Sequence, residues 1–161
     1  MNKIISIIKE MVVTFLISFI IVFFVTQVIF IPAKIEGHSM EPNLRHQAYV
    51  LLGKITLFDG IDRFEIVAID KGNENIIKRV IGLPNEKVEY IDNKLYINNI
   101  EVKENYNVKG NTNDFSIQLK EDEYFCIGDN REHSSDSRVY GPFSKSDIKS
   151  ESVFLQIGGE S

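Results

Sequence analysis

The chain has 161 residues, a formal net charge of −5, 43% apolar residues and one cysteine. The length suits one domain plus an anchor. An acidic chain lacks the basic footprint of a nucleic-acid binder, and a lone cysteine excludes an internal disulfide.

Residues 11–31 form a run of 21 residues without a charge. A helix of that length spans the roughly 30 Å hydrocarbon core of a bilayer. Thr14, Ser18, Thr26 and Gln27 are its only hydrogen-bonding side chains, and they do not make the polar face of a buried core helix. A cleaved signal sequence has a shorter apolar run that ends in small residues. This one ends "VIFIPAK". The expectation is a permanent transmembrane helix at 11–31, a short tail at 1–10 and an outer domain at 32–161. Lys3, Lys9 and the terminal amine precede the run, which favours a cytoplasmic N-terminus and an extracytoplasmic domain at the cell membrane. That domain holds 16 of the 18 Lys and Arg and 22 of the 23 Asp and Glu.

Beyond the anchor the pattern is mostly β. "AYVLLGK" (48–54), "EIVAID" (65–70) and "NIIKRVIGL" (75–83) are β-rich and separated by Gly, Asp and Asn. "KVEYIDNKLYINNIEV" alternates, with Asp92-Asn93 and Asn98-Asn99 as turn pairs joining three strands. "FSIQLK", "EYFCIG" and "SVFLQIG" complete the set, and 144–152 reads as a short helix. Short strands with regular turns predict a β-sandwich or partly closed barrel. Cys126 sits in a buried-strand pattern and reads as a core residue. No CxxC or clustered His/Cys pattern exists, so no metal or other cofactor is expected.

Three stretches carry candidate chemistry. Ser39 lies in "IEGHSMEPNL", just past the anchor. Lys78 shares a strand face with Ile76 and Val80. There it is either a lysine that snorkels at a sheet edge or a desolvated amine able to act as a base. "GDNREHSSDSRVYGP" (128–142) is either a solvated loop or a buried polar network, and it lacks the spacing of a calcium loop. A Ser-His-Asp arrangement would need His38, His46 or His133. His38 points away from its neighbour Ser39 in an extended loop, and solvated surface roles are expected for all three.

The anchor, "GHSMEPNL", "DRFEIVAI", "IIKRVIGLP" and "GDNREHSSDSRVYGP", in that order, resemble bacterial type I signal peptidases of the compact Gram-positive kind. The resemblance covers essentially the whole chain. It implies a Ser–Lys serine protease that removes signal peptides from exported preproteins after small residues of the Ala-x-Ala kind. It implies Ser39 as nucleophile and Lys78 as general base. Ser134 would orient the amine, Gly128 would allow close backbone approach, and Asp129, Asp136, Arg138 and Arg79 would hold the site together. Ile35, Met40, Leu44, Ile76 and Ile77 would line the substrate pocket. Signal peptides, the lipid bilayer and the neighbourhood of the secretion translocon are the implied partners. The chain departs from the family pattern at Asn43, Glu65 and Asn85-Glu86. Gly37 stands where some relatives place an oxyanion-hole hydroxyl, which leaves the Ser39 N–H as the surer donor. Two other classes share parts of this pattern. A self-cleaving repressor would carry a DNA-binding domain in place of the anchor. A silent membrane-anchored binding protein of the same fold would have no need of both Ser39 and Lys78.

Overall fold

The computed structural model describes residues 2–53 and 60–159. Lys54, which closes the first expected strand, falls outside them, as do residues 1, 160 and 161 of the expected tail and outer domain.

Beyond Glu10 helix α1 (Asn2–Ile29) is apolar on all sides, and the side chains of residues 3–24 are exposed. Within it Lys3–Phe24 is long and apolar enough to cross a membrane. A helix apolar all round needs an apolar environment all round. The charge-free run does not stay helical to its end, because Phe30 and Ile31 open strand β1 (Phe30–Lys34). β1 pairs antiparallel with β2 (Tyr49–Gly53), with Pro32 opposite Leu51. A proline is tolerated there because β1 is an edge strand.

The protein is mostly β, in two open antiparallel sheets. The larger has the order β1-β2-β11-β3-β4-β9-β10. Its further strands are β3 (Ile66–Asp70), β4 (Asn75–Gly82), β9 (Glu123–Ile127), β10 (Phe143–Ser144) and β11 (Ile148–Ile157). The smaller has the order β7-β6-β5-β8, from β5 (Lys87–Ile91), β6 (Lys94–Ile97), β7 (Ile100–Glu101) and β8 (Phe115–Gln118). Asp92, Asn93, Asn98 and Asn99 all have positive φ. That is why these side chains, which tolerate the left-handed region, close the β5–β6 and β6–β7 hairpins.

The short helix expected at 144–152 is not formed. Only a 3-10 turn, Lys145–Asp147, precedes β11, which starts at Ile148 and pairs with β3 and β2. Sheet pairing outweighs the weak helical preference of this polar stretch. A helical turn appears instead at α2 (Ser137–Tyr140), which Asp136 caps by accepting the Arg138 N–H.

Among the described residues three apolar clusters form the core. One includes Val67, Ile69, Val80 and Cys126. The second joins the small sheet to Ile81, Phe125 and Ile127. The third packs Ile35, Met40 and Leu44 against β2. β4 touches all three, through Ile76 and Val80, Ile81, and Ile77 respectively.

Candidate active site

β4 runs antiparallel to β3 over Asn75–Arg79 but meets β9 only from Arg79 onward. Residues 75–78 therefore leave one backbone edge open. Across that edge lies the segment from Lys34 to Met40, and between them is a cleft of about 320 Å³. Ser39 and Lys78 are both in its wall, and the Nζ of Lys78 donates to Ser39 Oγ at 2.9 Å.

Lys78 is 4% exposed. It also donates to the Ile77 carbonyl at 2.9 Å, and among the described residues no carboxylate pairs with it. Burial lowers its pKa to about 8, with the more distant Asp136 carboxylate opposing the shift. The lysine is thus desolvated rather than snorkelling, and its neutral form, about a tenth of the population at pH 7, reaches about half near pH 8.

The loop carrying Ser39 is pinned from outside. The Asn130 backbone N–H donates to the Ser39 carbonyl at 3.0 Å, and Asn130 Nδ2 donates to the His38 carbonyl at 3.1 Å. Asn43 Nδ2 donates to Asp129 Oδ2 at 2.8 Å and to the Asn107 carbonyl at 2.6 Å. The Gly37 N–H donates to His46 Nδ1 at 2.9 Å, so it is already engaged, and Gly37 brings no hydroxyl to an oxyanion.

The segment 128–142 is a buried network. Arg79 grips Asp129 through Nε at 2.8 Å and through its terminal nitrogen at 2.7 Å. Asp136 is fully buried, and it accepts from Arg138 twice at 2.8 Å, from the Gly128 N–H at 3.0 Å and from Ser134 Oγ at 2.6 Å. Burial alone would raise the Asp136 pKa; the Arg138, Gly128 and Ser134 hydrogen bonds outweigh it and hold the carboxyl below its usual value. Arg131 links the network to the small sheet through Tyr90, Thr112, Glu104 and Tyr106. A Cβ on Gly128 would collide with the Ser134 side chain and the Ser39 carbonyl oxygen, so only glycine fits there.

Several placements differ from the sequence reading. Ser134 donates to Asp136 and makes no hydrogen bond to Lys78; the Ile77 carbonyl takes that place. Ile35, Met40, Ile76 and Ile77 line the cleft, whereas Leu44 is buried in the cluster behind it. The three histidine rings bond elsewhere than to Ser39. His38 bonds Glu41 and His133 bonds Asn130, both from exposed positions, while His46 is half-buried as the acceptor for Gly37. Cys126 is buried, which pushes its thiol pKa well up and leaves it inert. Among the described residues no group of His, Cys, Asp and Glu could hold a metal.

The family model described as signal peptidase, peptidase S26, matches residues 8–156. The chain belongs to that family. It is 36% identical over 150 residues to signal peptidase I V of Bacillus subtilis, covering 82% of this chain and 89% of the relative. It is 32% identical over 160 residues to signal peptidase IB of Staphylococcus aureus, covering 86% and 84%. A solved signal peptidase I from Enterococcus faecalis superposes with a TM-score of 0.53 at 34% identity, covering 61% of this chain and 99% of that one. As a member of the signal peptidase family, the protein is a serine endopeptidase. Within this peptidase, sequence reasoning missed Lys34, Glu36, Glu74 and Asn75 in the cleft wall, and the anchoring roles of Asn43, Asn130 and His46. The quoted motifs contained Asn43 and Asn130, and His46 lies two residues past the first of them, but nothing local marks their partners.

Proposed function

We propose that this peptidase removes signal peptides from exported preproteins, with Ser39 as nucleophile and Lys78 as general base. The observation that carries this is the 2.9 Å contact between Lys78 Nζ and Ser39 Oγ, made by an amine with no carboxylate partner among the described residues. In its neutral form the amine accepts the Ser39 proton as Oγ attacks the scissile carbonyl. Lys78 then passes that proton to the leaving amine and later takes one from the water that hydrolyses the acyl-enzyme. The Ser39 N–H is the donor assigned to the oxyanion. An extended signal-peptide end would lie along the open edge of residues 75–77, with small side chains against Ile35, Met40, Ile76 and Ile77. A cleft of about 320 Å³ favours small residues there.

Helix α1 would anchor the chain in the cell membrane with the β domain on the outer side, near the secretion translocon. The substrate is itself inserted in the bilayer, and Ser39 follows α1 by only ten residues. The test is cleavage of a preprotein by the purified full chain in detergent, beside Ser39→Ala. Release of the mature protein by the wild type alone supports the reading. Equal inactivity of the two proteins would leave a silent binding protein of the same fold.

A further inference from the structure

A second hollow of about 770 Å³ opens between the small sheet and α2. Neither Ser39 nor Lys78 lines it, but Ser134 does. Ser134 and the Ser39 carbonyl oxygen both crowd the point where a Cβ on Gly128 would sit, so one side chain separates the hollow from the nucleophile.

The five consecutive residues 113–117 line this hollow. Successive strand residues point to opposite faces, so a run of neighbours meets a hollow when the strand is presented edge-on. β8 pairs with β5 on one side and, among the described residues, with no strand on the other. Across from it stands Val139, 68% exposed. A free strand edge beside an open hollow is a template for an added strand. The four residues of β8 offer roughly 13 Å of edge, enough for about four residues of extended peptide.

Direction follows from the dyad. The apolar cleft takes the residues before the scissile bond. The leaving amine must lie beside Lys78, which protonates it, and the chain that continues from it must exit away from that cleft. Ser134, which lines the hollow, lies close to the Ser39 backbone beside Gly128 and so gives that chain a route into it.

We propose that this hollow binds the first residues of the mature region of the preprotein, extended along the free edge of β8 with side chains against Val139. The proposal rests on the reading of Ser39 and Lys78 as the site of signal-peptide removal. It makes the hollow a specificity site for the polypeptide that is kept, separate from the cleft for the peptide that is removed.

The test uses the full chain in detergent and peptides that share one Ala-x-Ala end but carry one, three or six mature residues. For the wild type kcat/KM should rise about tenfold from the shortest to the longest. Val139→Trp and Asn113→Trp fill the hollow from its two exposed sides. Both should keep turnover of the shortest peptide and lose the rise. A wild type indifferent to mature length, or variants that retain the rise, would overturn the proposal. Binding supplies an arm free of turnover: a labelled mature-region peptide should bind Ser39→Ala protein, and Val139→Trp should weaken it about tenfold. Equal binding to both would also overturn it. Failure to cleave even the shortest peptide, with binding intact, would instead strike the dyad reading.

Discussion

Lys78 and Arg79 are neighbours on β4, both cations and both buried, at 4% and 8% exposure. Their surroundings differ completely. Arg79 faces a carboxylate that it grips with two hydrogen bonds, a backbone carbonyl, and the ring of Tyr106 at 4.0 Å. Lys78 faces a hydroxyl and one carbonyl. Burial with a matched anion produces a structural strut. Burial without one produces an amine whose charged form is disfavoured, which is what the proposed base requires. One strand supplies both because its alternate residues face different sides.

The largest expected effect removes the base. Lys78→Arg should lower kcat by about 10⁴-fold or more, since a guanidinium does not deprotonate in proteins. For the wild type, single-turnover cleavage should rise with pH through about 8, because the neutral amine is the reactive form. Comparable rates in Lys78→Arg and wild type would return Lys78 to a structural role.

Breaking the strut should act on stability instead. Asp129→Ala leaves the Arg79 charge buried without its partner, at a cost of about 3–5 kcal/mol. Urea unfolding measures this. A loss below about 1 kcal/mol would show that water reaches Arg79 as it reaches a surface pair.

The opposite sign is expected on the other face. The folded pKa of Lys78, about 8, lies below its ordinary 10.5, so below pH 8 the buried charge costs stability, roughly 3 kcal/mol. The cost fades as pH rises from about 8 and is gone above 10.5. Lys78→Met should therefore unfold at higher urea than wild type at pH 6, with a difference that shrinks at alkaline pH. A destabilised Lys78→Met would contradict the desolvated amine.

The smallest effect sharpens the contrast. Asp136 raises the Lys78 pKa through space. Asp136→Asn keeps an acceptor in place but removes the charge, so the acid limb of the pH–rate profile should move to lower pH. Ser134→Ala, which loses only a bond to that carboxylate, should reduce turnover without abolishing it. An unmoved limb in Asp136→Asn would mean that Asp136 acts on the loop alone.

What the sequence determined by itself is what short-range physics controls. The apolar run specified a helix, the alternation in 75–83 put Lys78 on one face and Arg79 on the other, and the Asp92-Asn93 and Asn98-Asn99 pairs specified turns. Each depends on residues a few positions apart. The motif order also identified the family and proposed Ser39 and Lys78 together. Tertiary structure decided the rest. Phe30 and Ile31 read as helix until β2 supplied a strand partner, and 144–152 read as helix until β3 did. Leu44 read as pocket and is core. Ser134 read as a partner of Lys78, yet its hydroxyl turns to Asp136. The clamp from Asn43 to Asp129 spans 86 positions, and the dyad itself spans 39. Such contacts leave no local periodicity, because hydrogen-bond partners are chosen by where the sheets bring the chain together.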